Sequence, residues 1–252
     1  MKILLLSDLH LVSPDDPNRE DHQRRNHFTQ TRRHLPSLAK TIQRESPDFI
    51  LCLGDLVDWY SAENRDFALE FLESLSLPWK MTPGNHDASA PPSEGKKLGL
   101  QGWVDAGVEV HNRKLDLDGA VAFLLNSHDS NVPPDTSAWF KENLDGETFS
   151  ILCTHVPPNV PSVREAILAK DPQRNLTRYV QSGAPELFDD ALKGKLDLSF
   201  SGHLHFPATV ECGKTTFHIL PLSTKAFGKS YPGEGELLFL DTATKALQRI
   251  SY

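Results

Sequence analysis

The sequence predicts an α/β fold in which a first, largely parallel sheet is built through helical crossovers and a second, mainly antiparallel sheet packs on it. Three observations carry this prediction. Short apolar runs alternate with stretches of helical periodicity over residues 2–81. Strand-like runs crowd together without helices towards residue 240. The apolar runs also end repeatedly in clusters of His, Asp, Asn and Gly. Alternating strands and helices imply right-handed crossovers and parallel neighbours, whereas uninterrupted strands pair antiparallel.

Taken in order, Ile3-Leu4-Leu5-Leu6 after Lys2 is a buried strand that ends at Ser7-Asp8-Leu9-His10. Four apolar residues are too few for a signal-peptide core, and no run approaches membrane-spanning length. Leu35, Leu38, Ala39 and Ile42 recur at helical spacing, with Pro36 acceptable in a first turn. Residues 49–53 form a second strand running into Gly54-Asp55-Leu56-Val57-Asp58, and Phe67, Phe71, Leu72 and Leu75 mark the next helix. A third strand over 78–81 feeds Gly84-Asn85-His86-Asp87. Residues 114–126 read as a hairpin turning at Asp118-Gly119, 135–143 as a short helix, and 149–153 as a strand leading to Thr154-His155. Residues 196–200 lead to Gly202-His203-Leu204-His205, and 216–220 and 236–240 supply the last strands.

No low-complexity stretch or internal repeat divides the chain, so residues 1–252 read as one domain with a sizeable core. The net charge of −8 argues against a general affinity for nucleic-acid backbones. It still permits a small phosphorylated substrate, because bound cations would reverse the field locally. Cys52, Cys153 and Cys212 are odd in number, widely spaced and without zinc or redox spacing. They read as buried structural thiols of a cytoplasmic protein without a membrane anchor.

Taken singly, Asp8-Leu9-His10 and Gly84-Asn85-His86-Asp87 could be ordinary turns. Gly202-His203-Leu204-His205 is less ordinary, since paired histidines just past a strand seldom serve packing alone. Their shared position after successive strands is the informative feature, because open α/β sheets place ligands along that edge. Carboxylate and amide oxygens mixed with imidazoles suit Mn, Fe or Zn, and the lack of Cys argues against a closed structural zinc site. Seven such donors would crowd one ion, but they can serve two ions if one carboxylate bridges.

Asp-x-His, Gly-Asp-x-x-Asp, Gly-Asn-His-Asp, a lone His after a strand and Gly-His-x-His follow in that order between residues 8 and 205. This set resembles the calcineurin-like metallophosphoesterase superfamily. The resemblance implies a four-layer sandwich of two mixed sheets flanked by helices, with two divalent metal ions at the strand ends and a metal-bridging hydroxide as nucleophile. It implies that Asp8, His10 and His205 hold one ion, that Asn85, His155 and His203 hold the other, and that Asp55 bridges. His86 corresponds to a non-ligand histidine facing the substrate phosphate, and Asp58 to the acid that orients it. Gly54, Gly84 and Gly202 are expected to be backbone-permissive residues that need contact nothing. Asp58 stands where purple acid phosphatases carry Tyr, so ferric-tyrosinate chemistry is not expected. Thr154-His155-Val156 offers one histidine where many relatives have two.

Within the superfamily, Ser7-Asp8-Leu9-His10-Leu11 and Leu125-Asn126-Ser127-His128, then a helix with Trp139 and Phe140, look like the group containing cyclic-nucleotide and glycerophosphodiester phosphodiesterases. The expected reaction is hydrolysis of a small phosphodiester. A phosphomonoesterase or protein phosphatase is the enzymatic alternative, and a binding scaffold that has lost catalysis is the other. The presence of every expected ligand and of His86 weighs against the scaffold. Elsewhere, His22, His27 and His34 lie among Arg19, Arg24, Arg25, Arg32 and Arg33, as a solvated loop or as a phosphate-steering rim. His111 and His218 read as structural. His128 and Asp129 follow a strand end closely enough to enter the site, and 163–195 reads as charged helices or a lid.

Overall fold

The computed structural model describes residues 1–18, 28, 30–91, 93–183, 194–226 and 233–252. In chain order the first elements are β1 (Lys2–Leu6), α1 (Leu35–Glu45), β2 (Phe49–Cys52), α2 (Ala62–Ser74), β3 (Trp79–Met81) and α3 (Gln101–Asp105). Then come β4 (Arg113–Leu117), β5 (Ala120–Leu125), α4 (Pro134–Asn143), β6 (Ser150–Thr154), α5 (Pro161–Lys170), α6 (Leu176–Tyr179) and β7 (Leu198–His205). The chain closes with β8 (Ala208–Cys212), β9 (Thr215–Pro221), β10 (Lys225–Ala226), β11 (Gly233–Glu234), β12 (Glu236–Asp241) and β13 (Leu247–Ser251).

Local signals set the helix ends. Ser61 accepts the Asn64 N–H at the start of α2, and Ser46 closes α1 in the left-handed conformation. Proline sits in the first turn of α1, α4 and α5, where its missing N–H costs nothing.

Strand alternation then builds four layers. Leu4 and Leu6 of β1 pack with Leu38, Ile42, Phe71 and Leu72 of α1 and α2. Ile3 and Leu5, on the opposite face, meet Ala122 and Leu124 of β5, Ile151 and Cys153 of β6, and Phe200 of β7. Beyond that second sheet, Phe123 and Leu125 pack against Phe140 of α4 and Val163 of α5. Strands covered on both faces must be apolar throughout, which is why β1 and β5 show no polar alternation.

The first sheet has the order β13-β12-β1-β2-β3. β1, β2 and β3 are parallel, whereas β12 and β13 return antiparallel beside β1, so this sheet is mixed rather than largely parallel. The second sheet has the order β4-β5-β6-β7-β9-β8 and corrects the antiparallel expectation. Its four inner strands, β5, β6, β7 and β9, run parallel, and only the two edge pairings are antiparallel. The reason is that α4 connects β5 to β6, and α5 and α6 connect β6 to β7, so these segments are crossovers. The hairpin at Asp118-Gly119 is present as β4–β5.

Cys52 and Cys153 are buried, whereas Cys212 is exposed at the end of β8. Among the described residues, no helix is long and apolar enough to cross a membrane. The expectations for His22, His27, Arg19, Arg24 and Arg25, and for 184–193, lie outside the described residues.

Candidate metal centre

The parallel topology brings the polar clusters to one edge of the sandwich. Asp8 and His10 follow β1, Asp55 and Asp58 follow β2, Asn85 and His86 follow β3, and His155 follows β6. β7 does not stop at Phe200; it runs to His205, and its pairing with β9 shifts register between Ser201 and His205. That irregularity turns His203 and His205 towards the edge. Asp8, His10, Asp55, His203 and His205 all have left-handed backbones, with φ of 53°, 46°, 52°, 70° and 58°. They are five of the nine such non-glycine residues among those described. A conformation of this kind costs about 1–3 kcal/mol and persists only where the surroundings over-determine it. Strain is therefore concentrated on the site.

Three donor clusters form there among the described residues, with ligand atoms within 4.8 Å of one another in each. Asp8, His10, Asp55 and His205 make the first, Asp55, His155 and His203 the second, and His10, Asp58 and His86 a third. Asp55 belongs to the first two. Its Oδ2 lies 3.7 Å from His10 Nε2 and 3.2 Å from His155 Nε2. Asn85 Oδ1 lies 3.2 Å from His155 Nε2 and so joins the second cluster.

The tautomers test whether cations fit. His155 Nδ1 must donate to the Leu53 carbonyl at 2.8 Å, and His203 Nε2 to the Arg178 carbonyl at 3.1 Å. In the neutral rings this leaves lone pairs on His155 Nε2 and His203 Nδ1, which face each other at 3.2 Å. On the other side, His10 Nδ1 donates to Asp58 Oδ1 at 3.0 Å, and its Nε2 faces His205 Nε2 at 3.0 Å. Acceptors gathered this closely need a proton or a cation among them. The mixed imidazole, carboxylate and amide donor set fits divalent metal ions.

A model of the calcineurin-like phosphoesterase family matches residues 1–207, a span that includes all of these strand ends. The chain belongs to the calcineurin-like phosphoesterase family. A Fibrobacter succinogenes protein named "Probable cyclic nucleotide phosphodiesterase" is 26% identical over 229 residues, covering 88% of this chain and 79% of that one. A dimetal phosphatase from Danio rerio shares the fold with a TM-score of 0.61 at 14% identity, covering 100% of this chain and 99% of the other. GAP50, the anchor in the inner membrane complex of Plasmodium, does so at 0.54 and 11% identity, covering 100% and 88%. The two structural likenesses show the fold alone.

Electrostatics prepare the phosphoesterase site for cations. Burial would lower the His155 pKa, yet Asp55 and Asp8 push it up to about 9, which marks this spot as one that favours positive charge. Burial brings His10 down to about 4 against the pull of Asp58, and burial with the His155 charge brings His203 down to about 3. Burial would raise Asp8 and Asp55, but His205 lowers the first and His155 lowers the second further. Carboxylates are thus ionised and two imidazoles neutral at neutral pH, which is the form metal ligands require.

Asp58 contacts both histidines. Its carboxylate accepts from His10 Nδ1 at 3.0 Å and pairs more loosely with His86 Nδ1 at 3.8 Å, while its backbone carbonyl accepts from His86 Nδ1 at 2.5 Å. Asp58→Asn is therefore expected to weaken metal binding about 10–100-fold through His10. Titration with Mn checks this, and unchanged affinity with slower turnover would return Asp58 to His86.

Asp87 is a structural part of the site that sequence reasoning missed. Its buried carboxylate accepts from the backbone N–H groups of Asp55, Leu56, Val57 and Gly84 at 2.8–3.2 Å, tying the β2 and β3 loops together. Asp87→Ala would leave four buried donors unpaired and should cost at least about 3 kcal/mol. Urea denaturation of the metal-free protein measures this, and a loss below about 1 kcal/mol would refute the role.

Gly84 and Gly202 also differ from expectation. Neither has positive φ, yet a Cβ on Gly84 would collide with Asp55 Oδ1 and N, and one on Gly202 with Ser7 Oγ and Asp8 Oδ2. Both positions admit ligand carboxylates against bare backbone.

His128 is half-buried and bonds Asn126 Oδ1 through Nδ1 at 2.7 Å, while neighbouring Ser127 braces Thr154 and Val156 beside His155. His218 lies buried in β9, stacked on Phe200, whereas His111 is exposed just before β4.

Proposed function

We propose that this metal-dependent phosphoesterase hydrolyses a small phosphodiester at a dinuclear centre held by Asp8, His10, Asp55, Asn85, His155, His203 and His205. The observation that carries the dinuclear arrangement is the single Asp55 Oδ2 shared by two donor clusters. When bound, such an ion pair activates water and neutralises charge on the phosphoryl oxygens.

The chain's own residues do the rest. Asp87 holds the loops that carry Asp55 and Asn85, and Asp58 fixes the His10 tautomer. His86 commits Nδ1 to the Asp58 carbonyl, so Nε2 is the nitrogen that meets substrate. Its side chain is 23% exposed beside the clusters, enough for a phosphate oxygen to reach it. When Nε2 is protonated it can donate to a phosphoryl or leaving oxygen.

Support for a diester comes from the relative named as a cyclic nucleotide phosphodiesterase. The Mn-loaded enzyme should cleave bis-p-nitrophenyl phosphate faster than p-nitrophenyl phosphate at equal concentration. A faster monoester would favour the phosphomonoesterase. A cytoplasmic setting fits three cysteines that are all unpaired.

A further inference from the structure

One segment outside the five motif-bearing strand ends also reaches the centre. The Arg178 carbonyl in α6 accepts the His203 Nε2 proton at 3.1 Å. The next residue, Tyr179, lays its ring against the same imidazole, with centroids 5.2 Å apart. Behind that ring the Arg174 guanidinium lies 4.4 Å from its centroid, and Arg174 pairs with Asp171 at 3.0 Å. Two residues on, buried Gln181 donates its Nε2 to Thr154 Oγ1 at 2.9 Å and to the Val156 carbonyl at 2.8 Å. Thr154 and Val156 flank His155 on either side. The Gln181 N–H adds a bond to the Pro157 carbonyl at 2.9 Å, and Ser182 is tied to Ser130 and Val132. The segment therefore contacts one histidine of the second donor cluster, His203, and holds the residues that flank the other, His155. Among the described residues, no hydrogen bond, ion pair or ring contact joins Arg178, Tyr179 or Gln181 to Asp8, His10 or His205. The link to that side runs through His203, whose backbone N–H donates to the Asp8 carboxylate at 3.1 Å.

We infer that residues 174–181 form a clamp that sets the affinity of the metal position made by Asn85, His155 and His203 through the direction of its imidazoles. Arg178, Tyr179 and Gln181 do so without touching the donors particular to the other position. This rests on the dinuclear reading above. The physical basis is orientation. A ligand imidazole whose second nitrogen is bonded to a fixed carbonyl keeps one tautomer and one ring direction, here with Nδ1 towards the cluster. Outer partners of this kind contribute about 10–100-fold to metal affinity. Tyr179 blocks rotation of the His203 ring, and Gln181 holds the Thr154 hydroxyl before His155 and the Val156 carbonyl after it. Both are positioning residues, since neither meets the reacting atoms.

Calorimetric titration of metal-free protein with Mn tests the clamp without measuring turnover. Wild type should bind two ions. Tyr179→Ala and Gln181→Met, the second nearly conserving volume, should each weaken one binding step by about 10–100-fold and leave the other unchanged. Tyr179→Phe keeps the ring and should match wild type. On a His203→Ala background, Tyr179→Ala should have no further effect, because the ring it steadies is gone. Two ions with unchanged constants in both variants would overturn the clamp, as would equal weakening of both steps, which marks general loosening. A wild type that binds a single ion refutes the dinuclear reading itself and the clamp with it.

Discussion

Asp55→Ala is expected to lose both bound ions and to slow turnover by more than about 10²-fold, beyond what removal of an outer partner costs. Asp55 Oδ2 is the atom that faces His10 on one side and His155 on the other. Its Oδ1 accepts the His86 N–H at 2.8 Å, so the same carboxylate also seats the turn carrying Asn85 and His86. Asp8→Ala and His205→Ala remove donors from one cluster only and should each retain one ion. Metal content and residual rate, measured together for the three variants, separate these cases. Comparable losses in all three would remove the bridging role from Asp55.

His86→Ala should keep both ions while turnover falls by about 10²–10⁴-fold, the range typical of a positioned acid or base. The ring is anchored through Nδ1 to the Asp58 carbonyl and packs edge-on against His10, 4.8 Å between centroids. Its Nε2 is therefore presented beside the two clusters that share Asp55, to neither of which His86 belongs. An acid role also predicts a larger loss for alkyl esters than for p-nitrophenyl esters, whose leaving group needs little protonation. If His86→Ala loses an ion and Asn85→Ala keeps both, ligand and catalyst in this turn are exchanged. Full activity of His86→Ala on both ester types would leave no catalytic part for the ring.

The site was legible in sequence wherever a donor directly follows an apolar strand. Lys2-to-Leu6 then Asp8-x-His10, and 49–53 then Gly54-Asp55, announce both the strand and the edge that it serves. The direction of the second sheet was not legible. Only Val163 and Ile167 of α5 are buried, so its helical signal is too thin to mark a crossover. Nor does sequence show that β12 returns to the first sheet, where it pairs antiparallel with β1 through pairs such as Lys2↔Asp241. The part played by Asp87 was hidden for a different reason. Three of its four partners are backbone N–H groups on another loop, and an Asp in a Gly-Asn-His-Asp turn carries no mark of them. Gln181 is equally silent in sequence, since its bonds to Thr154 and Val156 exist only once α5 and α6 have brought the chain back to β6. The motif associates Asp58 with His86 alone, and residue type cannot say that the carboxylate bonds His10 most closely while the carbonyl takes His86.

The central claim is that one carboxylate joins two metal positions, and metal content tests it most directly. Purified protein saturated with Mn, freed of loose ions and measured for metal per chain should hold two ions, and chelation should abolish phosphoesterase activity. At most one ion per chain with activity intact would contradict the dinuclear centre.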